Sequence, residues 1–399
     1  MTDSAPPAEN EQSERHASWL ELFFDLTAVA GVAQLAHLLH GGPAWADLGL
    51  YAVMFLAFWT GWMLFTVYGN VTRDQVRVWR VLAGMFGLAV MAAAVHGVRE
   101  GEQAAAFALA YILVRSLAGK AWERRREYVA DLPITRLGLG LTPWVVSMWF
   151  DGTARYALWA LGLAIDLVVM FAVSTKSPEG REGDASEDAA VWTGHRPPRK
   201  LRAAYTDAPH LGERLGLFVL IVLGEGIAQT VSEASEVAWD SALYAVGTGA
   251  FLLLILLWSL SLRHGSDGVP LLSPGAVPVR LTLPLHCFVA GSVAALAAAL
   301  GDSVAYTDAA VPERVRWLMC GSLAVYLVIA GAAVARSGRS VPWALLLTGP
   351  PLALVLAVGL TARDARAGHL VWLLVLALWW PLVWRLRRPS GAPAAPGSP

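Results

Sequence analysis

The sequence predicts an all-α polytopic membrane protein of about twelve transmembrane helices arranged as two six-helix halves. Three observations predict it. Of 399 residues, 56% are hydrophobic and only 15% are charged, with a mean hydropathy of +0.52, whereas about 25% charged is usual for a soluble domain. Apolar runs of about 17–24 residues recur along the chain, the length a helix needs to cross a bilayer. The lysines and arginines alternate from one loop to the next, as the positive-inside rule requires.

The first run, Trp19–His40, carries Glu21, Asp25, Gln34 and His37. A charge inside a bilayer costs about 2.5–3.5 kcal/mol on insertion scales, so two acids in one span call for partners or a purpose. The stretch before it is acidic and lacks the basic start of a cleavable signal, so this run is expected to stay as the first span. Further spans are expected at 47–69, 80–98, 103–119, 133–150 and 155–174, then at 210–231, 241–262, 281–301, 317–335, 342–360 and 368–385. Arg115 and Arg136 interrupt the fourth and fifth. With these limits, and with the edge residues Arg80, Arg155 and Arg385 counted with the adjoining loops, 20 lysines and arginines follow even-numbered spans and 6 follow odd ones. That asymmetry predicts twelve spans with both termini in the cytoplasm.

Residues 1–15 and 389–399 read as disordered cytoplasmic tails from their Pro, Ala, Gly, Ser and acidic content. Residues 16–174 form the first half, 175–209 a polar cytoplasmic linker loop, and 210–388 the second half. The halves also match in sequence. An offset of 195 residues lays Leu20 on Leu215, Phe23 on Phe218, Gly31 on Gly226 and Gln34 on Gln229. Six spans per half would make these parallel repeats.

A helix turns about 100° per residue, so Glu21 and Asp25 share one face, and His37 and His40 continue round from it. In the seventh span His210, Glu213, Glu225 and Gln229 fit one arc. A buried polar site between spans one and seven is therefore expected, with Asp25, Glu225, Glu21, Glu213, His37 and His210 as carriers of protons or as general acid and base. Buried carboxyls have raised pKa values and can exchange protons near neutral pH. Arg115, Gln34, Gln229, Asn70, Arg73 and Asp74 are the candidate substrate-binding residues. Arg115 is expected to pair with an acid of span one or seven, with Asp166 as a further candidate. The structural alternative is that these acids pair with Arg115, Arg136 or Arg214 and only hold helices together.

Several of the 18 tryptophans, Trp19, Trp45, Trp149 and Trp239 among them, fall at span ends as an interfacial belt. Trp59, Trp62, Trp144 and Trp159 lie deeper. Cys287 and Cys320 stand singly in apolar runs and read as buried. No phosphate loop, zinc-hydrolase motif, nucleophile elbow or dinucleotide fingerprint occurs, so no cofactor or metal is expected. No basic domain points to nucleic acid.

The motif E-L-F-F-D-L with A-Q-L-A-H after it, and H-L-G-E-R-L-G-L-F-V-L-I-V-L-G-E later, resemble those of the bacterial low temperature requirement A (LtrA) family. The first matches at Glu21, Leu22, Phe23, Phe24, Asp25, Gln34 and His37, the second at His210, Glu213, Arg214, Gly216, Phe218, Gly224 and Glu225. The resemblance covers nearly the whole chain and implies a multi-pass membrane fold. The family name describes a growth phenotype and brings no mechanism. Leu215, Gly226 and Thr27-Ala28 depart from the family pattern, and the smaller Gly226 is expected to widen or reshape the site beside Glu225.

Twelve spans in two halves, with intramembrane acids between them, predict a proton-coupled secondary transporter of an unknown small molecule. The alternative is an integral membrane enzyme that uses a buried carboxylic acid on a lipid-soluble substrate, as in isoprenoid or terpene cyclisation. A non-catalytic envelope or stress factor is the third reading. The partners expected are membrane lipid, the substrate and protons.

Overall fold

The computed structural model describes residues 17–123, 127–129, 132, 138–172, 202–307 and 309–386. The helices in chain order are α1 (Trp19–His37), α2 (Trp45–Thr72), α3 (Val78–Glu100), α4 (Ala104–Glu123), α5 (Leu141–Val146) and α6 (Gly152–Ala172). Then come α7 (Ala208–Glu236), α8 (Ser241–Trp258), α9 (Val279–Ala305), α10 (Glu313–Arg336), α11 (Val341–Thr361) and α12 (Ala367–Leu386). Among the described residues, 10 of these are long and apolar enough to cross a membrane; α4 contributes a shorter apolar run, Ala104–Gly119. The protein is an all-α multi-pass membrane protein. Its outer faces carry Phe23, Leu26, Phe86, Val168, Leu220 and Phe251 exposed, which suits contact with lipid.

The fifth expected span differs. Instead of a helix over 133–150, the chain forms the six-residue α5 and a 3-10 turn, Ser147–Trp149; residues 133–137, with Arg136, lie outside the described residues. Gly138, Gly140 and Pro143 are poor helix formers. Gly140 serves a close approach instead, since a Cβ there would run into Asp166 and the Gly162 carbonyl of α6. Most of the expected linker and both expected tails also lie outside the described residues. The linker's end, Arg202–Ala204 (β2), pairs in parallel with Glu127–Val129 (β1) after α4.

Helix α1 packs on α3, and α3 on α4; α7 packs on α9, and α9 on α10. Helices α1 and α2 also lie against α7 and α9, and α6 touches α9. The most apolar window of α9 is 89% buried, which makes it the core helix. Its run of alanines, Ala294–Ala299 with one leucine, lets neighbouring helices come close.

The starts of α1 and α7 and the end of α2 gather at one end of the bundle, the near end: Asn70 bonds Asp207, and Glu21 bonds His210. At the other, far end, His40 just beyond α1 meets Gln229 of α7 and Asp302 of α9.

Candidate functional site: two polar clusters along α7

Helices α1 and α7 run parallel and side by side. Three of the polar contacts that join this stretch of chain to α7 each pair a residue with the one 189 positions later: Glu21 with His210 at 3.2 Å, Asp25 with Arg214 at 2.6 Å and His40 with Gln229 at 2.9 Å. A four-residue step on both helices puts 21 and 25 on one face and 210 and 214 on the opposing one. The offset is not the 195 at which the sequences match. Six residues are about 9 Å of helix rise, so the residues that match in sequence are not the ones that face each other.

At the near end Arg214 is 1% exposed and Asp25 2%. The guanidinium grips the carboxylate as a fork, Nε donating to Oδ2 at 3.0 Å and Nη2 to Oδ1 at 2.6 Å. Such bidentate charged bonds are the strong ones. Arg214 Nη1 also lies 3.3 Å from Glu21 Oε1, and the indole N–H of Trp62 donates to Asp25 Oδ1 at 2.8 Å. The other oxygen of Glu21 caps its own helix: Oε2 accepts from the Ser18 N–H at 2.8 Å and the Ser18 hydroxyl at 2.9 Å, while the hydroxyl accepts from the Glu21 N–H. That is a capping box, and it fixes the carboxylate at the mouth of the interface. Gly69 of α2 leaves room for it, since a Cβ there would stand 3.1 Å from Glu21 Oε1.

Asn70 forms the rim. Its amide donates to the Asp207 carbonyl at 2.9 Å and accepts from the Asp207 N–H at 2.8 Å, tying α2 to the start of α7. Arg73 is mostly exposed and stands 3.6 Å from the Asp207 carboxylate. Glu213 is half-buried, 3.9 Å from His210 Nδ1. The side chain of Asp74 lies outside the described residues. The loop after α8 folds under this end. Asp267, in the left-handed region at φ 56°, packs on Gly212, and burial holds its carboxyl above the usual range against a bond from Ser266.

An aromatic layer lies below. Trp62 packs on Phe218 with centroids 4.3 Å apart. The Trp59 N–H donates to His286 Nδ1 at 3.1 Å, and His286 Nε2 donates to the Leu215 carbonyl at 2.9 Å. A ring that accepts at one nitrogen and donates at the other is the neutral imidazole.

At the far end His40 Nδ1 is 2.7 Å from Asp302 Oδ1, and the Gly41 N–H donates to Asp302 Oδ2 at 3.0 Å. His40 Nε2 is 2.9 Å from Gln229 Oε1, and Gln229 Nε2 donates to Glu225 Oε1 at 2.6 Å. Glu225 is buried, whereas the His40 side chain is 21% exposed. His40 titrates above its ordinary value, chiefly because it bonds Asp302; burial opposes this, and the charges of Asp302 and Glu233 and the bond to Gln229 add to it.

The expected site residues thus divide. Glu21, Asp25 and His210 meet at the near end with Asn70, and Glu225 meets Gln229 at the far end. Gln34 and His37 are exposed, because the face of α1 that meets α7 carries Ala28, Val32 and Leu35 at those depths; the His37 ring only flanks His40, at 5.2 Å. Arg115 of α4 pairs with Asp166 of α6, Nη1 donating to Asp166 Oδ2 at 2.6 Å and to the Tyr111 hydroxyl at 3.1 Å, rather than with an acid of α1 or α7. Arg214 already takes that place. Gly226 does not open the site: a Cβ there would stand 2.9 Å from Leu254 and 3.4 Å from Ala297, so its absence lets α8 and α9 approach. The sequence offered Arg214 only as a structural partner of the acids and left His40, Asp302 and Trp62 outside the expected site. The four-residue spacing of His210 and Arg214, matched to that of Glu21 and Asp25, is the signal that pointed to Arg214.

Cys287 and Cys320 are buried and free. Among the described residues no group of three or more His, Cys, Asp or Glu side chains could hold a metal ion. A cleft of about 320 Å³ opens at the far end, lined by Pro43, Trp45, Leu48, Glu313, Arg314 and Trp317.

The family model described as "Bacterial low temperature requirement A protein (LtrA)" matches residues 16–383. An uncharacterized protein of Rhizobium meliloti (strain 1021) is 25% identical over 286 residues, which is 65% of this chain and 65% of that protein's length. No solved structure matches the chain.

Proposed function

The chain belongs to the bacterial low temperature requirement A family, and from that premise we propose that it is a proton-coupled secondary transporter whose two halves are clasped at both ends. The observation that carries this reading is the pair of ionisable clusters. One bridges α1 and α2 to α7 at the near end, the other bridges the end of α1 to α7 and α9 at the far end, and an apolar and aromatic layer separates them. Transport by alternating access needs two ends that open in turn around a barrier. With both clasps made, the arrangement corresponds to a closed state. Protonation of Glu21 or Asp25 removes the charge that Arg214 grips, and loss of the His40 proton weakens the far end.

Like pairs of neighbours in the two halves, α1 with α3 and α7 with α9, α3 with α4 and α9 with α10, support the two-half reading. Among the described residues, Arg73, Arg77, Arg263, Arg280, Arg336 and Arg339 lie in or at the edges of connections at the near end, which favours a cytoplasmic near end and cytoplasmic termini in the inner membrane. The substrate is a small solute that crosses between α1, α2, α7 and α9. A general acid must hold a proton facing its substrate; Asp25 instead accepts three N–H bonds in this state, which weighs against the lipid-modifying enzyme. A non-catalytic membrane role is favoured by one observation, that the deepest near-end acid and its arginine satisfy each other.

The test uses proteoliposomes with an entrapped pH dye, challenged with panels of small solutes. Solute-triggered proton movement in the wild type, lost in Asp25→Asn and Glu225→Gln proteins that still purify as folded monodisperse species, is the expected result. Wild-type vesicles in which no solute moves protons would favour the non-catalytic role. Movement undiminished in both variants would refute the assignment of these acids.

A further inference from the structure

We infer that His40, Gln229 and Glu225 form one proton-binding site at the far end, in which a single proton is shared between the imidazole and the carboxylate through the Gln229 amide. This rests on the transporter reading for its purpose but on hydrogen-bond geometry for its existence.

Four heavy-atom contacts define the chain: Asp302 Oδ1 to His40 Nδ1 at 2.7 Å, His40 Nε2 to Gln229 Oε1 at 2.9 Å, Gln229 Nε2 to Glu225 Oε1 at 2.6 Å, and the Gly41 N–H to Asp302 Oδ2 at 3.0 Å. Asp302 accepts only, so Nδ1 must carry a hydrogen. A carboxamide has one accepting and one donating end. With its oxygen toward His40, Nε2 must also carry a hydrogen, the imidazole is a cation, and Glu225 is a carboxylate. With the amide turned over, its nitrogen donates to a bare Nε2, and its oxygen faces Glu225, which must then be a protonated acid. Both arrangements satisfy every contact, and both hold the same number of protons. Remove that proton and one contact fails in either orientation: two acceptors face each other at His40, or two at Glu225. A buried acceptor left facing another acceptor keeps the full penalty of its lost hydration.

The groups facing this site come from every element around it: Asp302 of α9, Glu225 and Glu233 of α7, and His37 of α1. Three carboxylates against one imidazole favour keeping the proton. The ligand is a proton from water at the far end, reached through the partly exposed His40 ring, and the buried end of the site is Glu225, four residues deeper along α7 than Gln229.

The test is an equilibrium titration of the purified full chain in nanodiscs. Histidine NMR signals assigned with His40→Gln, and the infrared carboxyl band assigned with Glu225→Gln, are followed against pH. The expected result is one shared midpoint for His40 and Glu225 in the wild type. Glu225→Gln is expected to lower the His40 midpoint by about one unit or more, because a facing charge is gone. Gln229→Leu is expected to split the shared midpoint in two; Gln229→Met serves if the leucine variant does not fold. Separate midpoints in the wild type, or a shared midpoint that survives loss of the amide, would overturn the proposal. No flux is measured here, so the outcomes separate. A shared midpoint without proton-linked flux removes the transporter and leaves the site, whereas flux with independent midpoints removes the site alone.

Discussion

The two clusters join the same neighbourhood of α1 to α7 at the same spacing of 189 residues, yet they are built on different cations. At the near end the cation is Arg214, whose guanidinium keeps its charge at any physiological pH and fits a carboxylate as a fork. At the far end the cation is His40, which gains and loses its charge in the range where cells live. The Arg214–Asp25 fork of the near clasp is therefore fixed until the acid is protonated, whatever the state of His210 beside Glu21, and the far clasp is conditional on a proton already bound. A molecule tied by both has one end that responds to pH and one that resists it.

The largest effect that would break this contrast is expected from Arg214→Met. It leaves Asp25 and Glu21 buried without their counter-charge, which costs about 3–5 kcal/mol. Thermal unfolding in detergent should show a large loss, partly restored by adding Asp25→Leu. An Arg214→Met protein as stable as the wild type would mean that the near end is not held by this pair. Trp62→Phe keeps the fork and removes one donor to Asp25, so a smaller loss of about 1.5–3 kcal/mol is expected.

At the far end the sign follows from His40. Its folded value is raised above the ordinary 6.5, so its contribution is fully present below that value and is lost as pH rises through the raised one. Protection of the Gly41 amide, corrected for intrinsic exchange, should fall over that rise, while protection at the Glu21 amide in the near-end cap stays constant. His40→Gln should flatten the far-end response. Equal responses at both ends would erase the contrast. The smallest effect is expected from Gln34→Ala and His37→Ala, which change exposed side chains. Each should alter stability by less than about 0.5 kcal/mol, and a larger change would bring that face of α1 into the site.

Much of this fold was legible because bilayer crossing is a matter of length and hydropathy. Ten spans follow from that alone. The fifth expected span was misread because its apolar content is helix-like while Gly138, Gly140 and Pro143 are poor helix formers and Gly140 serves a close approach to α6 that no periodicity encodes. The site was legible as a set of expensive residues on α1 and α7, but not as two sets. Depth along a helix is easy to count, whereas which face of α1 meets α7 depends on where α3 and α9 pack. Gln34 and His37 were therefore placed on the wrong side, and His40, one turn further, does the bonding. Asp302 and Trp62 come from α9 and α2, and no local pattern links them to α1.

The most direct measurement places spin labels in two pairs of exposed positions, Ala46→Cys with Arg314→Cys at the far end and Val78→Cys with Ser340→Cys at the near end, and records both distance distributions across the titration of His40. The account predicts that the far-end distribution shifts to longer distances as His40 loses its proton while the near-end distribution stays unchanged. A far-end distribution that is the same on both sides of that titration, or a near end that moves with it, would contradict the claim that the two clasps are independent and only one is set by a proton.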